Sequence, residues 1–148
     1  MSIGSEMNLA GYSGTALGKK LGLRDGQAAL LLDVPAHLQE IAAYPGFAQV
    51  ARSIEGTASR RFDYIHCFET ERDRLEVQAS ALADRLKPDG ILWISWPKRA
   101  SGVATTLTED ALREIFLPHG LVDIKVCAVD PVWSGLKFMF RKEVRASL

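Results

Sequence analysis

Phe62-Asp63-Tyr64-Ile65-His66-Cys67-Phe68 is the stretch on which the fold turns. It is rich in aromatic residues and ends in the polar pair Glu69-Thr70, so it reads as a strand that delivers its carboxyl end to a loop. A helix is expected next over residues 71–86, with Leu75, Ala79, Leu82 and Leu86 on one face and Lys87-Pro88-Asp89-Gly90 closing it. Ile91-Leu92-Trp93-Ile94-Ser95-Trp96 is almost unbroken in apolar character and stops at Pro97, as a strand covered on both faces does. Strand, helix and strand in this order make a crossover unit of a parallel sheet.

Toward the carboxyl end, Thr106-x-x-Glu109 is a candidate capping box for a helix with Leu112, Ile115 and Phe116 facing inward, ended by Pro118-His119-Gly120. Val122, Ile124, Val126 and Ala128 then alternate with Asp123, Lys125 and Cys127, which predicts a strand with the first set buried. Leu136, Phe138 and Phe140 alternate with Lys137, Met139 and Arg141 in the same way. Asp130-Pro131 and Ser134-Gly135 lie between the two runs, so an antiparallel hairpin closes the chain.

Toward the amino end, residues 28–32 form an apolar run suited to a central strand. Pro35 then fits the first turn of a helix with Leu38, Ile41 and Ala42 as its stripe. Residues 16–21 read as a short helix stopped by Gly22. Residues 47–54 fit both helical spacing and an edge strand. The expected organisation is a flexible tail over residues 1–10 and a single α/β domain over residues 11–148. Its architecture is a three-layer, mainly parallel sheet with a carboxyl-terminal antiparallel hairpin.

Composition narrows the function classes. The 148 residues carry 18 basic and 18 acidic side chains, so a broad electropositive surface for nucleic acid is not expected, although neutrality leaves room for a local basic patch. The longest apolar runs are far shorter than the ~20 residues that span a bilayer, and no signal-peptide pattern opens the sequence. The expectation is a cytoplasmic protein without membrane contact. Cys67 and Cys127 each sit inside a strand-like run, as reduced, buried thiols do. His37, His66 and His119 lack metal-ligand spacing, so no metal site is expected.

The succession from residue 62 to the terminal hairpin resembles the closing half of the class I, Rossmann-like S-adenosylmethionine-dependent methyltransferase fold. Gly11-Tyr12-Ser13-Gly14-Thr15, Ser95-Trp96-Pro97-Lys98, Leu107-Thr108-Glu109-Asp110 and Asp130-Pro131-Val132-Trp133-Ser134-Gly135-Leu136-Lys137 also look like signatures of the DUF3052 family of small bacterial proteins. The second likeness spans residues 11–142 and implies no biochemical function. In the methyltransferase pattern the first strand ends in an acid followed by a glycine-rich turn that lets the backbone approach the methionine part of the cofactor. Here Leu32-Asp33-Val34-Pro35-Ala36-His37 has the acid and none of the glycines, and Pro35 lacks a backbone donor. Only 28 residues, 34–61, separate Asp33 from Phe62, too few for two further strand-helix units. The departure implies a truncated sheet with no cofactor expected, S-adenosylmethionine being the alternative.

Ligands of open α/β sheets sit beyond the carboxyl ends of the strands, where Asp33, Glu69, Thr70, Trp96, Lys98, Arg99 and Ser101 fall. Asp33 and Glu69 are candidates for a ribose or an amine, and Lys98, Arg99 and Ser101 for an anion beside the Trp96 ring. Each also has a structural role open to it: Asp33 and Thr70 as helix caps, Trp96 as core, Lys98 and Arg99 as solvated charges. Ser13, Thr15, Lys19 and Lys20 form a second candidate anion contact, but Gly14 to Gly18 is one residue short of a phosphate loop. Trp133, in the hairpin turn, is either folded back on the core or offered to a protein partner or a second copy. No catalytic residue stands out. The sequence therefore favours a non-catalytic binding or protein-interaction module, the alternative being a minimal methyltransferase or nucleotide-binding protein.

Overall fold

The computed structural model describes residues 15–148; the expected tail, residues 1–10, lies outside them, as do residues 11–14 with Ser13. The strands are β1 (Ala28–Leu32), β2 (Gln49–Ala51), β3 (Phe62–Phe68), β4 (Leu86–Pro97), β5 (Leu121–Ala128) and β6 (Trp133–Phe140). The helices are α1 (Ala16–Leu21), α2 (Gln39–Ala42), α3 (Arg72–Arg85), α4 (Glu109–Phe116) and α5 (Lys142–Arg145). The strands form one sheet in the order β2-β1-β3-β4-β6-β5. Pairing is parallel from β2 to β4 and antiparallel from β4 through β6 to β5.

All five residues of β1 are buried, because helices cover both faces of the sheet. Side chains alternate between two cores. On one face Leu30, Ile65, Leu92 and Ile94 meet Leu75 and Leu82 of α3 and Leu112 and Phe116 of α4. On the other, Ala29, Leu31, Tyr64 and Trp93 meet Leu21 of α1, Leu23, and Ile41 of α2. His66 and Cys67, adjacent on β3, accordingly enter opposite layers.

Several expectations are corrected. Pro35 does not open a helix: α2 begins at Gln39, and the Leu38 N–H merely closes a turn onto the Pro35 carbonyl at 3.0 Å. Residues 49–51 are the edge strand, held by pairing of Val50 with Ala29. The Lys87-Pro88-Asp89-Gly90 segment does not end the helix in a loop but lies inside β4. Phe62 pairs with Leu86 and Tyr64 with Ile91, so β4 bulges there. A Cβ on Gly90 would stand 2.7 Å from Leu86 Cδ1, which explains the glycine. Thr108, not Thr106, caps α4, its Oγ1 accepting the Ala111 N–H at 3.0 Å. Thr106 instead accepts the Arg72 N–H at 2.6 Å and donates its own N–H to the Thr70 carbonyl at 3.0 Å. On β5, Ile124 and Val126 are exposed at 48% and 45%, where alternation predicted burial. A register shift between Asp123 and Lys125 breaks the period of two, and β5 is an outer strand with little to cover it.

One polar group lies wholly within the second core. The His66 ring is fully buried between Tyr64 Oη, 2.9 Å from Nδ1, and Ser95 Oγ, 2.7 Å from Nε2, and stacks on Phe68 at 4.4 Å. Burial lowers its pKa from 6.5 to about 3, so the ring is neutral with both nitrogens satisfied. The unfolded chain binds a proton below pH 6.5 that the folded chain refuses down to about pH 3. The stabilisation is therefore complete above pH 6.5 and is lost as pH falls toward 3, by roughly 1.4 kcal/mol per unit. Urea unfolding of the wild type and His66→Gln between about pH 7 and pH 4 checks this; the variant is expected to be less stable at pH 7 and to have a shallower acid slope.

Candidate functional site

The chain leaves β1 toward β2 on one side and returns to β3 on the other, so the carboxyl ends of β1 and β3 part at a topological switch point. Leu32 pairs with Cys67, which sets Asp33 beside Phe68 and Glu69 at the mouth of the opening. Asp33 has φ +58°, a left-handed conformation that aspartate tolerates better than most side chains. It is exposed and accepts no hydrogen bond among the described residues, so it caps no helix.

Two cavities share Asp33. One, of about 350 Å³, is lined by Asp33, Phe68, Glu69, Thr70, Arg74 and Trp133. The other, of about 380 Å³, lies among Leu32, Asp33, Arg52, Ser53, Ile54, Glu55 and Gln78. Trp133 is folded back, edge-on to Phe68 at 5.1 Å. Above it the His37 ring meets the Asp130 carboxylate at 2.8 Å, tying the segment after β1 to the hairpin tip. Asp130 also accepts the N–H groups of Val132 and Trp133 at 2.8 and 2.7 Å, which fixes the turn that presents the indole.

Glu69 is committed before any ligand arrives. Its carboxylate accepts the Thr70 and Glu71 N–H groups at 2.8 and 2.9 Å, at the start of α3, and the Arg74 guanidinium at 2.9 Å. Burial pushes its pKa up, but the Arg74 bond and the two N–H groups outweigh it and hold the carboxyl below the usual range. Glu69 is thus an anchor of the α3 terminus, and Thr70 does not cap it. Cys67 is pushed up to about 12, by burial first and then by Glu69 and Asp33, and is an inert thiol. Among the described residues no histidine or cysteine lines the two cavities.

The other sequence-predicted residues separate from this group. Trp96 and Arg99 line a third cavity of about 490 Å³ against the start of α4, with Trp96 itself only 7% exposed. The Lys98 N–H donates to the Val132 carbonyl at 2.8 Å, and the Ser101 hydroxyl turns back to the Lys98 carbonyl at 2.7 Å. Thr15 caps α1 by accepting the Gly18 N–H at 2.9 Å. Lys19 is exposed, and Lys20 reaches the Ala128 carbonyl at 3.0 Å. Among the described residues no group of three or more His, Cys, Asp or Glu side chains could hold a metal ion, and no helix is long and apolar enough to cross a membrane. Ser53, Glu55, Gln78 and Arg74 escaped the sequence reading. Ser53 and Glu55 follow β2 directly, and reading residues 49–51 as a strand would have marked them.

A methyltransferase from Aquifex aeolicus, described as SAM-dependent, superposes with TM-score 0.61 at 14% identity, covering 95% of this chain and all of its own. The fold is that of the Rossmann-like methyltransferases. The magnesium protoporphyrin IX methyltransferase of Synechocystis, with bound SAM, gives TM-score 0.55 at 13% identity over 84% of this chain and 74% of its own. The 1,6-didemethyltoxoflavin-N1-methyltransferase of Burkholderia thailandensis, with bound S-adenosylhomocysteine, gives 0.56 at 13% over 85% and 75%. At such identities the likeness is one of fold. No protein-family model matches the sequence and no curated protein matches it, so the resemblance to the DUF3052 family rests on the motifs quoted for it.

The residues fit a sulfonium nucleoside unevenly. Ser53, Glu55, Gln78 and Asp33 would supply hydrogen-bonding groups for a ribose and a base, and the partly exposed Trp133, backed by buried Phe68, would offer aromatic surface to a cation. The amino-acid end is less well served, because Val34, half-buried against the core, and Pro35 stand where a glycine turn would open the backbone. Because Asp33 is left-handed, Asp33→Gly is expected to leave the thermal midpoint unchanged or raise it, whereas Asp33→Val costs about 1–2 kcal/mol. Thermal unfolding of the two variants checks both.

Proposed function

We propose that the crevice at Asp33 takes a nucleoside of the S-adenosylmethionine type and that the protein is a small methyltransferase-like one built on this pocket. The observation that supports the reading is the Asp33 carboxylate, which accepts no hydrogen bond among the described residues, is held in a left-handed turn at the switch point and is common to both cavities. In this reading Ser53, Glu55 and Gln78 hold the base and ribose. Asp33 faces the junction, and Trp133, with Phe68 buried behind it, packs beside the positive centre. The ligand, when bound, supplies an electrophilic methyl group. Arg74 stays neutralised by Glu69, so it does not repel that cation.

Titration calorimetry of the full chain with S-adenosylmethionine and S-adenosylhomocysteine tests the reading. Micromolar binding is expected, weakened roughly tenfold or more in Asp33→Gly, a loss of about 1.4 kcal/mol or more, with the fold intact. Absence of heat with both ligands would sink it. Transfer of labelled methyl to components of a cell extract then separates an enzyme from a binder. The second reading, a non-catalytic binding or interaction module, is favoured by the Val34-Pro35 turn and by the His37–Asp130 tie that fastens this turn to the hairpin. It predicts silence in both experiments.

A further inference from the structure

Most exposed cations on the α3 and α4 side of the molecule are matched. Arg72 pairs with Glu76 and Glu114, Arg74 with Glu69, and Arg113 with Glu109, Asp110 and Asp123. The opposite face of the antiparallel pair is built differently. Lys125 on β5 and Lys137 on β6 are directly opposite one another in the register, so their side chains leave the same face as neighbours. Like charges in that position destabilise a sheet.

Two more cations close on the pair. Arg24 follows Leu23, which packs in the layer of Trp93, and Trp93 lies opposite Lys137 in the register; Arg24 and Lys125 both act electrostatically on Lys137. Lys20, on α1, bonds to the Ala128 carbonyl at the end of β5, and Lys20 and Lys125 both act on the Cys127 between them. None of the four pairs with a carboxylate among the described residues. The acid of β5, Asp123, is turned to Arg113 in the other layer, and the hairpin acid, Asp130, is held by His37. Lys137 is half-buried, and burial first, then Lys125 and Arg24, lower its pKa from the usual ammonium value. A bound anion would reverse both the repulsion and that direction.

We propose that Lys20, Arg24, Lys125 and Lys137, none of which lines the crevice, form a site for closely spaced phosphate groups. Three ammonium groups supply point charges and one guanidinium a two-pronged donor, the combination that gathers adjacent phosphate oxygens. The four span two strands, a helix and a turn, so only the folded chain assembles them. A neutral protein with such a local concentration of unmatched positive charge attracts anions at short range, within the ~10 Å over which salt leaves charges visible. The phosphates come either from a compact polyphosphate or from a single-stranded RNA backbone.

The full chain is titrated with inorganic tripolyphosphate by calorimetry and with a labelled oligouridine by fluorescence anisotropy, at about 50 mM salt. Binding of tripolyphosphate alone assigns a compact ligand, and binding of the RNA assigns a backbone. For four contacts the RNA affinity should fall roughly fiftyfold between about 50 and 200 mM salt. Lys125→Glu should abolish binding by either probe and at the same time raise the thermal midpoint, because an attractive cross-strand pair replaces a repulsive one. Arg24→Gln, which alters neither strand, should weaken binding without that rise. Failure of both probes to bind, or binding that Lys125→Glu leaves unchanged, overturns the proposal. Neither result bears on the crevice, whose ligand is titrated separately.

Discussion

The parallel pairing of Ala28–Leu32 with Phe62–Phe68 is the contact on which the rest of the molecule depends. The two strands are distant in sequence, and their union closes a long loop at an entropic cost that the packing of both layers must offset. Once made, it defines both faces of the sheet. Ala29 and Leu31 look into the layer of Tyr64 and Trp93, while Leu30 looks into the layer of Ile65 and Leu92. It also creates the switch point, since β2 lies on the far side of β1 and β4 on the far side of β3.

From that point the geometry of the crevice follows. The chain must turn sharply as β1 ends, and Asp33 does so with a positive φ. The same turn exposes its carboxylate, while Glu69, at the end of the neighbouring strand, is drawn into the start of α3 by two N–H groups and Arg74. Two acids at equivalent strand ends thus acquire different duties. One organises a helix terminus, and the other, exposed, accepts no hydrogen bond among the described residues. The difference lies in the hydrogen-bond donors around each carboxylate.

The hairpin plays a double part. Its turn returns Trp133 to the crevice and binds His37 through Asp130, so the opening is shaped by residues 93 positions apart. Its strands carry the opposed Lys125 and Lys137, an arrangement that weakens the pairing from which it is made. The register shift beside Lys125 turns Ile124 and Val126 to the surface of an outer strand. A bulge and a charge are also the devices by which natural sheets discourage uncontrolled pairing at an edge.

By itself the sequence determined the layers and the order of the elements. The apolar runs at residues 28–32 and 91–96, the aromatic run at 62–68 and the alternation in residues 136–140 each state locally which faces are buried. Acidic Asp33 and Glu69 were legible as strand-end residues for the same reason. Tertiary structure alone decided which of those residues share a site: Trp133 joined Asp33 and Glu69, whereas Trp96 and Arg99 fell into another cavity. It also decided that residues 49–51 form a strand, since helical and extended spacing coincide over so short a segment and pairing with β1 broke the tie. The bulge at Ile124 and the opposition of Lys125 to Lys137 were beyond reach for one physical reason. Periodicity encodes burial along an element, but register and long-range proximity are set by what packs across it.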